Sequence, residues 1–272
     1  MAKDVLDTLL FVDTNVLLDF YRIRKTDISL KYLEQLEACQ DRLILGSQVE
    51  MEYKKNRQRA IVESLTNFGA PDWSKLTGPA LVADLQAMKM IEKKKKEIVT
   101  QKNKVNEKIQ NILSDPIHHD PVYQCLQRIF KHNSSYNLSR TKKERFTIRN
   151  LARKRFVLGY PPRKQGDTSI GDAVNWEWIV QCSINSSKHI VIVTRDTDYG
   201  AIYEGKSYLN DWLKQEFAER VSKKRKIILT DKLSQGLKIV HAAVTKEMEA
   251  EEDRLLAELL GDFEDLTVNE ET

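Results

Sequence analysis

Cysteine, histidine and long apolar runs are scarce in this chain of 272 residues, and each scarcity closes off a class of protein. The three cysteines, Cys39, Cys125 and Cys182, are far apart and lack the paired spacing of a disulfide framework or a zinc site, so they are expected as reduced thiols. Of the five histidines only His118 and His119 are neighbours. Asp120 follows them, but no third ligand stands at a fixed spacing, and a loop is the expectation there. No stretch approaches the roughly 20 apolar residues of a membrane-spanning helix. The opening Met-Ala-Lys-Asp also lacks the charged-then-apolar layout of a secretory signal, and a cytoplasmic protein is expected. What remains is a hydrophobic content of 41%, enough to bury a sizeable core in one elaborated domain or two small ones.

Charge is unevenly spread. Residues 247–272 hold eleven acids and one base, Arg254, a net of −10; with the whole chain at +4, residues 1–246 carry +14. A basic body of this kind attracts polyanions, although a charge run also serves simply as a solvated face. The acidic tail has Met248, Leu255, Leu256, Leu259, Leu260 and Phe263 at helical spacing. It reads as an amphipathic helix that docks on its own body or on a protein partner. If it mimics a polyanion, its deletion strengthens polyanion binding at low salt.

Four short apolar runs, at 9–12 (LLFV), 42–45 (RLIL), 190–193 (IVIV) and 227–229 (IIL), suit parallel strands buried on both faces. Helix-length segments at 16–40, 48–66, 171–186 and 208–221 alternate with them, the pattern of an α/β sheet covered by helices. The middle differs. Residues 85–113 show no strand signal and carry Ile91, Ile98, Val105 and Ile112 seven apart, reading as a long helix with a thin apolar seam packed in a helical hairpin. The two prolines of SDPIHHDP (114–121) break it, and a basic helical stretch resumes over 123–156.

In open α/β sheets ligands gather at the carboxyl ends of the strands. Acids occupy those positions here. The first strand ends in Asp13, with Thr14 and Asn15 behind it; the helix after the second strand carries Glu50 and Glu52; Asp167 and Asp172 precede or open a third helix; and the IVIV strand runs into Thr194, Arg195, Asp196, Thr197 and Asp198. Converging carboxylates repel one another in a low dielectric unless a cation offsets them, and oxygen-only ligands favour Mg²⁺ or Mn²⁺. Such sites hydrolyse phosphodiesters.

Each acid also has a structural alternative. Asp13 can cap the following helix. Ser47 and Glu50 fit a capping box, and Glu52 lies about 200° round the helix from Glu50, so the two glutamates cannot both face one centre. Asp172 sits where a helix dipole favours an acid, with Gly171 and Ala173 leaving room for a metal or phosphate. Asp167 reads as a turn residue, Asp198 ranks behind Asp196, and either of that pair can form an Asx turn. Asn15 and Thr194 are placed to support the carboxylates. Asp19 reads as solvent-facing. Of Trp176 and Trp178, one is expected in the core and one near the rim.

The segments VDTNVLLDFYR, SQVEMEYKKNRQ, GDAVNWEWI and IVIVTRDTDY together resemble the PIN-domain ribonucleases, and more closely a bacterial PIN-like subgroup with an extended helical insertion. The resemblance spans 9–66 and 158–212. It implies a three-layer α/β/α fold with a central, mostly parallel sheet formed by 1–66 and 151–240; the sequence pattern itself adds an α-helical insertion at 67–150, because the sheet pattern resumes after it, and an acidic C-terminal helix in 241–272, neither of which the resemblance covers. It implies that Asp13, Glu52, Asp172 and Asp196 are catalytic and bind metal with Asp198, the V-x-x-E-[FY] pattern at 49–53 selecting Glu52. It further implies Mg²⁺- or Mn²⁺-dependent cleavage of single-stranded RNA, in toxin, RNA-processing or phage-defence settings. A non-catalytic RNA-binding scaffold and a structure-specific DNA nuclease remain the rival readings, and a homo-oligomer stays open.

The substrate surface is expected from bases flanking the acids. Lys54, Lys55 and Arg57 follow Glu52, and 140–164 holds ten bases against Glu144, including Arg149, Arg153, Lys154, Arg155, Arg163 and Lys164. Phe146, Phe156 and Tyr160 are interleaved with them, which suits a single strand better than groove readout.

Overall fold

The computed structural model describes residues 7–65, 78–163 and 169–268. Strand β1 (Thr8–Val12) leads into a short helix α1 (Thr14–Leu18), a 3₁₀ turn (Asp19–Tyr21) and α2 (Thr26–Ala38); β2 (Leu43–Gly46) leads into α3 (Ser47–Glu63). Then come α4 (Gln86–Ser114), α5 (Pro116–His119), α6 (Pro121–Lys131), β3 (Asn137–Leu138), α7 (Glu144–Leu158) and α8 (Gly171–Ser186). The chain finishes with β4 (His189–Val193), β5 (Gly200–Tyr203), β6 (Lys206–Leu209), α9 (Asp211–Arg220), β7 (Ile227–Thr230), α10 (Leu233–Ile239) and α11 (Lys246–Val268).

The four apolar runs all become strands of one five-stranded sheet, in the order β3-β2-β1-β4-β7, with every pair parallel. The two central strands are buried along their whole length, as uninterrupted apolar runs require when helices cover both faces. Their register, Val12 opposite Val193, brings two strand ends level, so Asp13 and Thr194 leave the sheet side by side. Strands β5 and β6 form a separate antiparallel hairpin. Its turn places Glu204 and Gly205 at φ 47° and 69°, the left-handed region where glycine carries no steric penalty. No helix among the described residues is long and apolar enough to cross a membrane.

The structure differs from the sequence expectations in several places. The helix expected over 16–40 breaks at Asp19, which is 3% exposed rather than solvent-facing and is ion-paired with Arg22 and Arg195. The helix expected from 208 starts at Asp211, because Asn210 caps it by accepting from the Trp212 amide at 2.9 Å. Within the range expected as an insertion, α6 buries Cys125, Leu126, Ile129 and Phe130 in the main core, and β3 extends the sheet. Helix α4 has no buried residue, and its seam positions Ile98 and Val105 are exposed, so no hairpin partner covers them among the described residues. His118 and His119 lie on the one-turn helix α5.

Arg57 explains how α6 is held. It is 3% exposed, donates through Nε to Asp120 at 2.8 Å and through a terminal nitrogen to the Ile112 carbonyl at 2.6 Å. Asp120 in turn caps α6 by accepting from the Tyr123 amide, and Tyr21 donates to it at 2.7 Å. Arg155 plays a similar structural part. It is 4% exposed and pairs with Glu177 and Glu216, which Arg220 also contacts. Both arginines were expected to meet nucleic acid; burial removes them from that surface. Trp176 and Trp178 are both core residues, their indoles donating to Glu216 and to the Leu45 carbonyl.

The acidic tail docks on its own body. Met248 and Leu255 of α11 are buried, and so are Glu251 and Glu252. Glu252 accepts from the Leu233 and Ser234 amides at 2.5 and 3.0 Å and from the Tyr32 hydroxyl, capping α10. Glu251 accepts from the Arg24 amide just ahead of α2. Acids at helix N-termini are favoured by the orphan amides and the dipole, so these charges are engaged inside the fold.

Candidate metal centre

Asp13 continues the β1 ladder, its amide donating to the Val193 carbonyl at 2.9 Å, and then starts α1. Its Oδ1 accepts from the Thr14 amide at 2.7 Å. Its Oδ2 accepts from the Thr194 hydroxyl at 2.6 Å and from the Asn15 side-chain amide at 3.1 Å. The cap and the site position therefore coexist in one residue. Burial pushes the Asp13 carboxyl up to about 6; the bonds from Thr194 and Thr14 oppose this, and the charges of Glu52 and Asp196 add to it.

Glu52 arrives from the second turn of α3. Gln48, one turn earlier, donates to its Oε1 at 2.6 Å, and the Thr14 hydroxyl donates to Oε2 at 3.2 Å. A side chain at Gly171 would put Cβ 2.3 Å from Oε1, so the room this glycine leaves is filled by Glu52 itself. Glu50 points elsewhere, paired with Lys54 at 2.6 Å, and α3 begins at Gly46 without a side-chain cap. The capping box expected of Ser47 and Glu50 does not form.

Asp172 opens α8 in its first turn. It meets Asp196 and Asp198 from the segment after β4, and one carboxylate oxygen from each of the three lies within 4.8 Å of the others. The Thr194 hydroxyl accepts from the Asp196 amide at 3.0 Å, and Asp196 accepts from the Asp198 amide at 3.2 Å. Asp198 thus stands level with Asp196. Beneath them lies Tyr199, fully buried, whose hydroxyl donates to the Asp172 carbonyl at 3.4 Å. Burial first, then the charges of Asp172, Asp13, Glu52 and Asp196, push that hydroxyl well above its usual range. All four acids are therefore felt at one buried point.

The donor set fits a hard divalent cation. It is all oxygen, and a cation relieves both the burial of the Asp13 charge, the main cause of its raised carboxyl, and the smaller repulsion from Glu52 and Asp196. Asn15 Oδ1 is buried without a hydrogen-bond partner among the described residues, a spare acceptor beside Asp13. A PIN-domain family model matches residues 10–199, which include every acid just described. The chain belongs to the PIN-domain family. No curated protein and no solved structure gives a significant match. PIN domains are generally nucleases that use Mg²⁺ or Mn²⁺, and this PIN domain carries the acidic cluster such chemistry uses. Strand β7 and the docked helix α11 lie beyond the matched residues.

Of the bases expected to meet nucleic acid, Lys54, Lys55, Arg153, Lys154 and Arg163 are exposed and Arg149 is half-buried. Arg163 lies over the Phe156 ring at 4.6 Å. Asp167 and Lys164 fall outside the described residues. The sequence offered little to mark Gln48, Thr14, Tyr199 or Arg195 as supports; the one usable signal was Gln48 standing four residues, one helical turn, before Glu52.

Proposed function

We propose that this PIN domain is a metal-dependent endoribonuclease that cuts single-stranded RNA, with Asp13, Glu52, Asp172, Asp196 and Asp198 holding Mg²⁺ or Mn²⁺. The cluster of Asp172, Asp196 and Asp198, with one carboxylate oxygen of each within 4.8 Å of the others, carries this reading, and Asp13 and Glu52 add charge beside it. When bound, the cation neutralises charge on the phosphodiester and makes a water more acidic. The chain's own residues supply the rest. Thr194, Thr14 and Asn15 fix both oxygens of Asp13, while Gln48 and Thr14 fix those of Glu52, so the carboxylates meet substrate already oriented. The acids position the attacking water; cleavage leaves a 5′-phosphate and a 3′-hydroxyl.

The single-strand preference rests on exposed aromatics among exposed bases. Phe146, Tyr203, Tyr208 and Trp212 present ring surface, and Tyr160 packs on Trp212 with centroids 4.9 Å apart. Bases that stack on such rings must first leave a duplex. Matched single-stranded RNA, single-stranded DNA and flap duplex, incubated with Mg²⁺ or Mn²⁺ and with chelator, test the reading. RNA cleavage abolished by chelator and by Asp172→Asn is expected. Cleavage of the flap alone supports the DNA-nuclease alternative, and metal-independent binding without product supports the scaffold.

A further inference from the structure

The geometry points to a phosphate-binding cleft beside the acidic centre, which takes a backbone phosphate of the single strand next to the one being cut. It rests on the nuclease reading above for its place in the reaction, and on its own geometry for its chemistry.

The cleft opens where α3 begins. Gly46, Ser47 and Gln48 form one wall, Arg145 and Arg149 of α7 another, and Asn175 of α8 the base. Helix α3 has seventeen residues and starts with no side-chain cap, so its first amides are left for an anion. Asn175 supplies the independent observation. It is 4% exposed, and its Nδ2, a double donor, is buried with no hydrogen-bond partner among the described residues. A buried donor left unpaired is costly, and an anionic ligand removes that cost. Arg145 Nε is likewise buried and unpartnered. Neither Arg145 nor Arg149 forms an ion pair among the described residues, whereas Arg57 and Arg155 are fully engaged.

Size decides how the ligand sits. The enclosed part of the cleft is about 10 Å³, room for one water, so the phosphate rests at the mouth and reaches Asn175 directly or through that water. Phe11 and Trp178 line the interior and keep it apolar, which strengthens each charge contact. Two links tie the cleft to the acids. Gln48 lines it while donating to Glu52, and Asn175 lies three residues, about one helical turn, beyond Asp172. A strand seated here therefore passes over the metal centre.

The test measures binding of a short single-stranded RNA in chelator across a salt series. Arg145→Gln and Arg149→Gln, both at accessible positions, are expected to weaken binding about tenfold each and to lower the salt slope by about one. Their Mn²⁺ affinity, read by calorimetry, stays at the parent value, which separates the cleft from the acids. Asn175→Leu is expected to weaken binding with little change in salt slope. Unchanged affinity and slope in the double arginine variant overturn the cleft, even if the parent cuts RNA. A parent that cuts nothing while the variants still lose binding leaves the cleft standing and sinks the ribonuclease reading. Inorganic phosphate that binds the parent but not the variants, with oligonucleotide affinity untouched, also overturns the substrate role.

Discussion

Gly171 and Glu52 are fitted to each other: the carboxylate of one occupies the space where a side chain of the other would be, 2.3 Å from the Cβ position. Because the obstructing atom is the end of a flexible side chain, Gly171→Ala is expected to fold by pushing Glu52 aside. Alanine is the better helix former by about 1 kcal/mol, so stability stays level or rises. The Thr14 and Gln48 contacts to Glu52 are lost, and Mn²⁺ affinity and nuclease rate fall by about tenfold or more. Thermal melting paired with Mn²⁺ calorimetry checks this. Parent-like metal binding in a folded Gly171→Ala protein removes Glu52 from the centre.

Asp13 predicts the pH behaviour of the metal-free protein. Its carboxyl titrates at about 6 when folded, against 3.8 for the unperturbed group. A raised carboxyl pKa gives stability that is fully present below 3.8 and lost as pH rises through about 6. That shift corresponds to about 3 kcal/mol. Denaturant titrations in chelator at pH 5 and pH 8 should show the parent gaining more stability at the lower pH than Asp13→Asn does. Added Mg²⁺ or Mn²⁺ should erase the difference at pH 8, where the carboxylate is charged and the cation binds. Equal pH profiles for the two proteins argue against a strained, cation-seeking Asp13.

The sheet was legible because its strands are continuous apolar runs; of the candidate acids, Asp13 and Asp196 stand just past such runs, whereas Glu52 and Asp172 lie on helices. The strand β3 was not, since two residues carry no period and its pairing depends on the distant β2. The hairpin β5–β6 escaped for a related reason: its residues are mostly exposed, so alternation left no apolar pattern to find. Among the site residues, Asp13 was readable from position alone. Choosing Glu52 over Glu50 needed the motif, and the fixing of Glu52 by Gly171 and Thr14 depends on contacts across 119 and 38 positions of sequence. Arg57 and Arg155 were misread because a base in a basic run looks solvated whichever way its helix faces. Only Asp120 and Glu177, both far along the chain, reveal their burial.

The same two arginines separate structural from substrate charge. Arg155→Met leaves Glu177 and Glu216 with Arg220 alone, and should cost about 3–5 kcal/mol, as breaking a buried pair does. Arg57→Met should cost a similar amount through Asp120. Arg153→Gln, exposed on the same helix as Arg155, should leave melting unchanged within about 0.5 kcal/mol. It should weaken RNA binding and reduce the salt slope instead. Chemical denaturation alongside RNA titration distinguishes them; a parent-like melt for Arg155→Met contradicts the buried pairing.

Removing the acidic tail is expected to loosen the fold before it frees any RNA surface. Met248 and Leu255 each bury an apolar side chain worth about 2 kcal/mol, Glu252 caps α10, and Glu251 accepts from the Arg24 amide, these last two at about 1 kcal/mol each. Glu252 also lies 4.0 Å from Arg195, which pairs with Asp19 and precedes Asp196 in the chain. Ending the chain at residue 246 should therefore lower the melting temperature by more than about ten degrees, as about 6 kcal/mol implies for a domain of this size. Ending it at residue 259 keeps all four anchors and should melt like the parent. If the shorter chain instead melts normally and binds RNA more tightly at low salt, the tail is an internal mimic of nucleic acid and not a structural clamp.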